Sequence, residues 1–157
     1  MDDSINVIFL DIDGVLNTTG DKELIENTFE LNKLNNLIKL VKSTDSYIII
    51  ISDRRIYESE RIMINKVFGN YHVKVDYLSY ERTHKNRSDE IIYFINNNDI
   101  SNYVILDDND LGYSNSILIN HFINTYQNGF DMNKYNEALN ILENGEIIWK
   151  IWKVIKN

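Results

Sequence analysis

Two hydrophobic rhythms alternate along this chain. Ile5, Val7, Ile8, Phe9 and Leu10 form a run the length of one buried strand, and it stops abruptly at Asp11-Ile12-Asp13-Gly14. Leu31, Leu34, Leu37, Ile38 and Val41 then recur at helical spacing, with Thr28 as the expected cap. Tyr47 to Ile51 is a second β-branched run, ending at Ser52-Asp53-Arg54-Arg55. A helical pattern returns over 56–68, with Gly69 expected at C′. Val73, Val75 and Tyr77 alternate with polar neighbours, which predicts a more exposed, edge-like strand. Ser88 is the expected cap of the next helix, whose inward side is Ile91, Ile92, Phe94 and Ile95.

Tyr103 to Leu106 is a third buried run, followed at once by Asp107-Asp108. A shorter run spans Ile117 to Ile123, and Asn128-Gly129 turns the chain into a helix from about Met132 to Leu142. Beyond it, Ile147, Ile148, Ile151, Trp152 and Ile155 keep helical spacing, with a strand as the alternative because Ile and Trp also favour sheets. Strands alternating with helices predict an α/β fold, a three-layer Rossmann-like sandwich. Its sheet is mainly parallel, with helices on both faces and right-handed crossovers. Neither a repeat nor a linker interrupts the pattern, so residues 1–157 are expected to form one domain.

Three of the buried strands end in polar groups: Asp11 with Asp13, Ser52 with Arg54 and Arg55, and Asp107 with Asp108. In a parallel sheet these ends share one edge, beside which ligands bind. Each piece has an ordinary reading. Asp-Gly makes turns, Ser52 can cap a helix, and arginines on an acidic chain are commonly surface charges. Their joint occurrence points further. Carboxylates hold a hard cation, a hydroxyl and guanidinium hold an anion, and the pair suggests phosphate.

Composition narrows the choice. Sixteen basic against 24 acidic residues leave a formal charge of −8, which disfavours a broad nucleic-acid face but permits a local basic pocket. There is no cysteine, hence no disulfide, thiolate metal site or cysteine nucleophile. His72, His84 and His121 are isolated from one another and read as surface or strand-edge residues. Met1-Asp2-Asp3-Ser4 is acidic and the run after it has only a strand's length, so neither a signal peptide nor a membrane span is expected, and the expected location is cytoplasmic.

With these residues in view, the chain resembles the haloacid dehalogenase (HAD) superfamily of phosphohydrolases. Asp11-Ile12-Asp13-Gly14-Val15-Leu16-Asn17 is similar to its first motif, Ile51-Ser52 to its second, and Ile105-Leu106-Asp107-Asp108 to the Asp-Asp form of its fourth. Arg87-Ser88-Asp89-Glu90-Ile91, with Lys85 nearby, has the spacing of the third. Thr125 to Phe130 followed by a helix brings it closer to a small subfamily without a large cap, some of whose members accompany RNA repair proteins. Two departures stand out: Arg87 where the third motif usually has Lys, and Asp53-Arg54 where small or aromatic residues are common.

The resemblance implies a Mg²⁺-dependent phosphatase. Asp11 would be the nucleophile and pass through an aspartyl phosphate, while Asp13 would be the acid and base. Mg²⁺ would sit on Asp11, Asp13 (through its main-chain carbonyl) and Asp108, with Asp107 in support. Ser52 and the basic residue from Arg87 or Lys85 would hold the phosphate, Arg87 fitting the motif's spacing better, and Arg54 and Arg55 are further candidates. An uncapped site suits a substrate with its own large surface, and the subfamily's association favours a terminal 3′ phosphate of a polynucleotide. Arg54, Arg55, Arg82, His84, Lys85 and Arg87 would supply a basic rim. The other readings are a small-molecule or nucleotide phosphatase, a phosphotransferase, and a non-catalytic phosphate- or nucleotide-binding module.

Overall fold

In the computed structural model the chain is described over residues 5–20 and 23–156, with 145–156 as main chain only. The elements are β1 (Ile5–Leu10), α1 (Leu31–Thr44), β2 (Ser46–Ile50), α2 (Glu58–Gly69) preceded by a 3₁₀ turn at Asp53–Ile56, β3 (Val75–Tyr77), α3 (Arg87–Asn96), β4 (Ile100–Asp107), β5 (Phe122–Asn124) and α4 (Met132–Lys156). All five strands pair in parallel, in the order β3-β2-β1-β4-β5. From β1 the chain steps outward to β2 and β3, then returns to the other side of β1 as β4. That reversal between β1 and β4 is the switch point of a doubly wound sheet, where the strands' carboxyl ends open a crevice.

Strand alternation divides the core in two. Ile8, Leu10, Ile48, Ile50, Val104 and Leu106 pack on one face against α1, α2 and α4. Val7, Phe9, Ile49, Ile51 and Ile105 pack on the other against Ile91 of α3 and against Tyr113 and Leu118. This is the three-layer α/β architecture expected, and no large cap is inserted in the described connections. Among the described residues no helix is long and apolar enough to cross a membrane. The edge strand expected around Val75 is at the sheet's edge.

Local expectations differ at three helix ends. Thr28 does not cap α1: the cap position is Glu30, and the Thr28 hydroxyl donates to the Glu26 carbonyl at 2.9 Å in the turn before it. Leu31, expected inside, is 51% exposed because it begins the helix beyond the contact with the sheet. Ser88 lies inside the first turn of α3, since the helix starts at Arg87 with Asn86 as cap. Gly69 is the last residue of α2 rather than its C′, and the left-handed residue that follows is His72, with φ 60°. The last apolar segment continues α4 as helix to Lys156 and forms no strand.

Phe9 lies wholly inside, edge-on to Phe94 at 5.8 Å and to Tyr103 at 5.9 Å. Phe9→Ala should therefore lower the unfolding free energy by about 3–5 kcal/mol, read from urea denaturation. A loss under about 1 kcal/mol would show that this face of the core is not packed around that ring.

Candidate functional site

The residues after β1 and at the end of β4 meet because the two strands are neighbours. Asp11 donates its amide to the Leu106 carbonyl at 2.9 Å, continuing the ladder one step past β1. This sets its carboxylate beside Asp107, the last residue of β4, and Asp108. One carboxylate oxygen from each of the three lies within 4.8 Å of the others. Gly14 makes room for this. At φ 80° it turns the main chain so close that a Cβ there would fall 2.0 Å from Asp108 Oδ2. The turn is held by the Asn17 side chain, which accepts from the Gly14 amide at 3.0 Å, and by the Thr125 hydroxyl, which donates to the Gly14 carbonyl at 2.9 Å.

Crowded like charges resist ionisation. Burial first, and then Asp107, push the Asp11 carboxyl up to about 8, against the pull of Arg87. Burial and Asp107 also raise Asp108. Asp107 is fully buried and both its oxygens are engaged: Oδ2 accepts from Arg87 Nη1 at 3.0 Å and from the Tyr113 hydroxyl at 2.7 Å, and Oδ1 from the Asn109 amide at 3.1 Å. The cluster is thus an all-oxygen donor set whose crowded carboxyls ionise most readily with a cation among them, and this fits a hard divalent cation.

Arg87, the first residue of α3, faces the cluster. Its Nη1 is 3.8 Å from Asp11 Oδ1, and its Nη2 donates to Asp53 Oδ1 at 3.4 Å. Burial works against its charge, but Asp11 and Asp107 more than offset it, so the guanidinium stays protonated. A cavity of about 520 Å³ opens beside these groups. Asp11, Asp107 and Asp108 line one part of it, and Asp53, Arg82, His84, Lys85 and Arg87 another.

The other expected residues separate from this cluster. The Asp13 carboxylate points to Arg54, which grips it with two parallel hydrogen bonds (Nε to Oδ2 and Nη2 to Oδ1, both 2.8 Å), and Asn17 adds a third at 3.1 Å. The Arg54 hydrogen bonds and that of Asn17 hold Asp13 below the usual carboxylate range, burial opposing. The Asp13 carboxylate is thus turned toward Arg54 and Asn17, apart from the three carboxylates that meet at Asp11. Arg54 also donates to Glu60 at 3.0 Å, so its charge serves two carboxylates rather than lying free for an anion.

Ser52 is buried. Its Oγ accepts from the Arg54 amide at 3.2 Å, and among the described residues its hydroxyl hydrogen has no acceptor. Arg55 is 0% exposed: Nη2 donates to Glu90 at 2.9 Å and Nη1 to the Ile51 carbonyl at 2.7 Å, while Nε has no hydrogen-bond partner among the described residues. An enclosed guanidinium cannot touch a substrate, so the expectation that Arg55 binds phosphate is corrected: it ties the end of β2 to α3. Lys85 lines the cavity and has no ion pair among the described residues.

Two participants were not read from the sequence. Tyr113 looks like any core aromatic, yet its hydroxyl anchors Asp107. Asp53 stood out only as a departure from the motif, yet it meets Arg55, Arg82 and Arg87. Its position directly after a phosphate-motif serine was the available signal.

Comparison with known protein families gives a match. The family model for the HAD domain in Swiss Army Knife RNA repair proteins covers residues 7–134, from β1 into α4 and across every side chain described above. No curated protein and no solved structure matches the chain.

The buried pair of Arg55 and Glu90 yields a stability test. Glu90→Leu leaves the enclosed guanidinium with only the more distant, half-exposed Asp53 and should cost about 3 kcal/mol, whereas Arg55→Met combined with Glu90→Leu should recover most of that loss. Chemical denaturation of the two variants decides it. A single substitution as mild as the double one would mean that the pair is not sealed from water.

Proposed function

The chain belongs to the family of HAD domains in Swiss Army Knife RNA repair proteins, and from that premise we propose that it is a metal-dependent phosphohydrolase with Asp11 as its nucleophile. The observation that carries this reading is the meeting of Asp11, Asp107 and Asp108 at two adjacent strand ends, with Arg87 facing them. A buried carboxylate beside a cation-binding set and a fixed positive charge is what attack on an anionic phosphate requires, since repulsion between nucleophile and substrate must be offset.

One Asp11 oxygen attacks phosphorus and the bond to the leaving oxygen breaks, so the phosphoryl group is carried as an aspartyl phosphate. Asp13 gives its proton to the leaving oxygen, then takes one from the water that attacks phosphorus and releases Asp11. Arg54 favours the anionic form of Asp13, which suits the second half. The first half therefore needs Arg54 to slacken as substrate arrives. Arg87 and the unpaired hydroxyl hydrogen of Ser52 hold phosphoryl oxygens, with Lys85 at the cavity wall. Asp11, Asp108 and the main-chain carbonyl of Asp13 would hold Mg²⁺, whose charge neutralises what gathers on the transferring group. Asp107, with both oxygens occupied, keeps the other carboxylates in place.

For substrate, the reading favoured is the terminal 3′ phosphate of a polynucleotide. The family takes its name from RNA repair proteins, and a site with no large cap cannot enclose a small compound on every side.

Asp11→Asn should fold normally and lose turnover by several orders of magnitude, because the attacking oxygen is gone. Near-normal phosphatase activity in that variant would overturn the assignment. Chelation should abolish wild-type turnover and added Mg²⁺ restore it. Mg²⁺ should also raise the Tm of the wild type, but not of Gly14→Ala, whose new Cβ displaces the Asp108 carboxylate. Full activity without metal, or an equal thermal shift in Gly14→Ala, would refute the cation site. A kcat/KM on a 3′-phosphorylated oligonucleotide below that on sugar phosphates would overturn the substrate.

A further inference from the structure

The cavity is larger than a phosphoryl group needs, and only part of its wall is explained by the reaction. Arg87, which pairs with Asp107 and faces Asp11, is taken up by the reacting phosphate. Arg82, His84 and Lys85, on the connection from β3 to α3, line the same cavity; Arg82 and His84 have no role in the reaction, and Lys85 stands at the wall between them and Arg87 in sequence.

These three side chains are poised for an anion. Arg82 meets Asp53 in an ion pair whose two side chains are 64% and 45% exposed, and such a pair holds weakly against an incoming anion. Lys85 has no ion pair among the described residues, although exposed lysines elsewhere do pair, as Lys66 does with Glu26. His84 Nδ1 lies 2.8 Å from the Thr83 hydroxyl, and among the described residues Nε2 makes no hydrogen bond. The connection itself is anchored. Glu90 accepts from the Thr83 amide at 3.4 Å and from its hydroxyl at 3.3 Å, and the same Glu90 oxygen holds the enclosed Arg55. The cations are thus carried on a segment pinned to the core, and less ordering is needed on binding.

We propose that Arg82, His84 and Lys85 form a second anion subsite, which takes a phosphate or phosphodiester group next to the reacting phosphate on the same substrate molecule. The inference rests on the reading that the reacting phosphate is bound at Asp11. It adds that a substrate with two phosphate groups is preferred over one with a single group. Arg82 then exchanges Asp53 for the substrate. The second group comes either from the adjoining diester of a polynucleotide or from a small bisphosphate.

The test compares a nucleoside 3′-phosphate, a nucleoside 3′,5′-bisphosphate and a dinucleotide bearing a 3′-phosphate. Each is measured in two ways: kcat/KM with the wild type, and Kd with Asp11→Asn, both with Mg²⁺. Either doubly anionic compound should be favoured by about tenfold over the monophosphate, as expected for added charge-assisted hydrogen bonds. Adding Arg82→Gln and Lys85→Gln together should bring that ratio close to one in both measurements. Preference for the dinucleotide supports the subsite with a polynucleotide source, and preference for the bisphosphate supports it with a small-molecule source. Equal wild-type values for single and double anions, or a ratio that survives the double substitution, overturn the subsite. Binding ratios that hold without any turnover leave the subsite standing and remove the hydrolase reading. Turnover without a ratio does the reverse, and failure of all three compounds to bind overturns both.

Discussion

Repulsion among three carboxylates at the ends of β1 and β4 is the constraint around which the polar half of this protein is arranged. Burial itself, and then the charge of Asp107, push Asp11 up to about 8. Asp107 is tolerated in the interior only because Arg87, Tyr113 and the Asn109 amide satisfy it. Gly14 belongs to the same constraint: with any side chain there, Asp108 could not lie beside the others. The fold's contribution is the reversal between β1 and β4, which makes neighbours of residues far apart in the chain.

From that centre, charge alternates outward. Asp107 holds Arg87, Arg87 reaches Asp53, and Asp53 meets Arg82 and the enclosed Arg55, which is held in turn by Glu90. Each member offsets the one before it, and the series joins the end of β4, the turn after β2, the connection after β3 and the first turn of α3. These are the segments whose relative placement shapes the cavity. An uncharged substitution at Asp107 or Glu90 would take the principal partner from an interior guanidinium, whereas loss of Arg82 leaves Asp53 with Arg87 and Arg55.

Much of this was legible in the sequence, for physical reasons. Buried parallel strands read as unbroken apolar runs, so β1, β2 and β4 stood out, and the polar residues that stop them had to share an edge. Helix ends were less legible. Thr28 and Ser88 are good capping residues, but where a helix starts is decided by packing on the sheet, which set α1 at Leu31 and α3 at Arg87. Arg54 and Arg55 were hardest, because adjacent arginines in a short 3₁₀ turn look alike in sequence. Only the tertiary contacts send one to Asp13 at the surface and enclose the other with Glu90. Tyr113 was hidden for a related reason, since an aromatic ring fills a core whether or not its hydroxyl has a task.

Exposure sorts the charge pairs by what they can do. Arg55 with Glu90 and Arg87 with Asp107 are shielded from water, so separating either strands a charge, and both are fixed parts of the frame. Arg82 with Asp53 and Arg54 with Asp13 are partly open to solvent, where water and ions compete for each partner and separation is easier. Both exposed pairs set a cation of the basic rim against a carboxylate, one at the cavity wall and one at the proposed acid. A phosphate has more charge and more acceptor oxygens than the carboxylate it would displace, so it competes best for guanidinium groups held in this way. Loosening of Arg54 would free Asp13 from the interaction that keeps it ionised, so the readiness of the acid is set by how firmly that half-exposed pair holds.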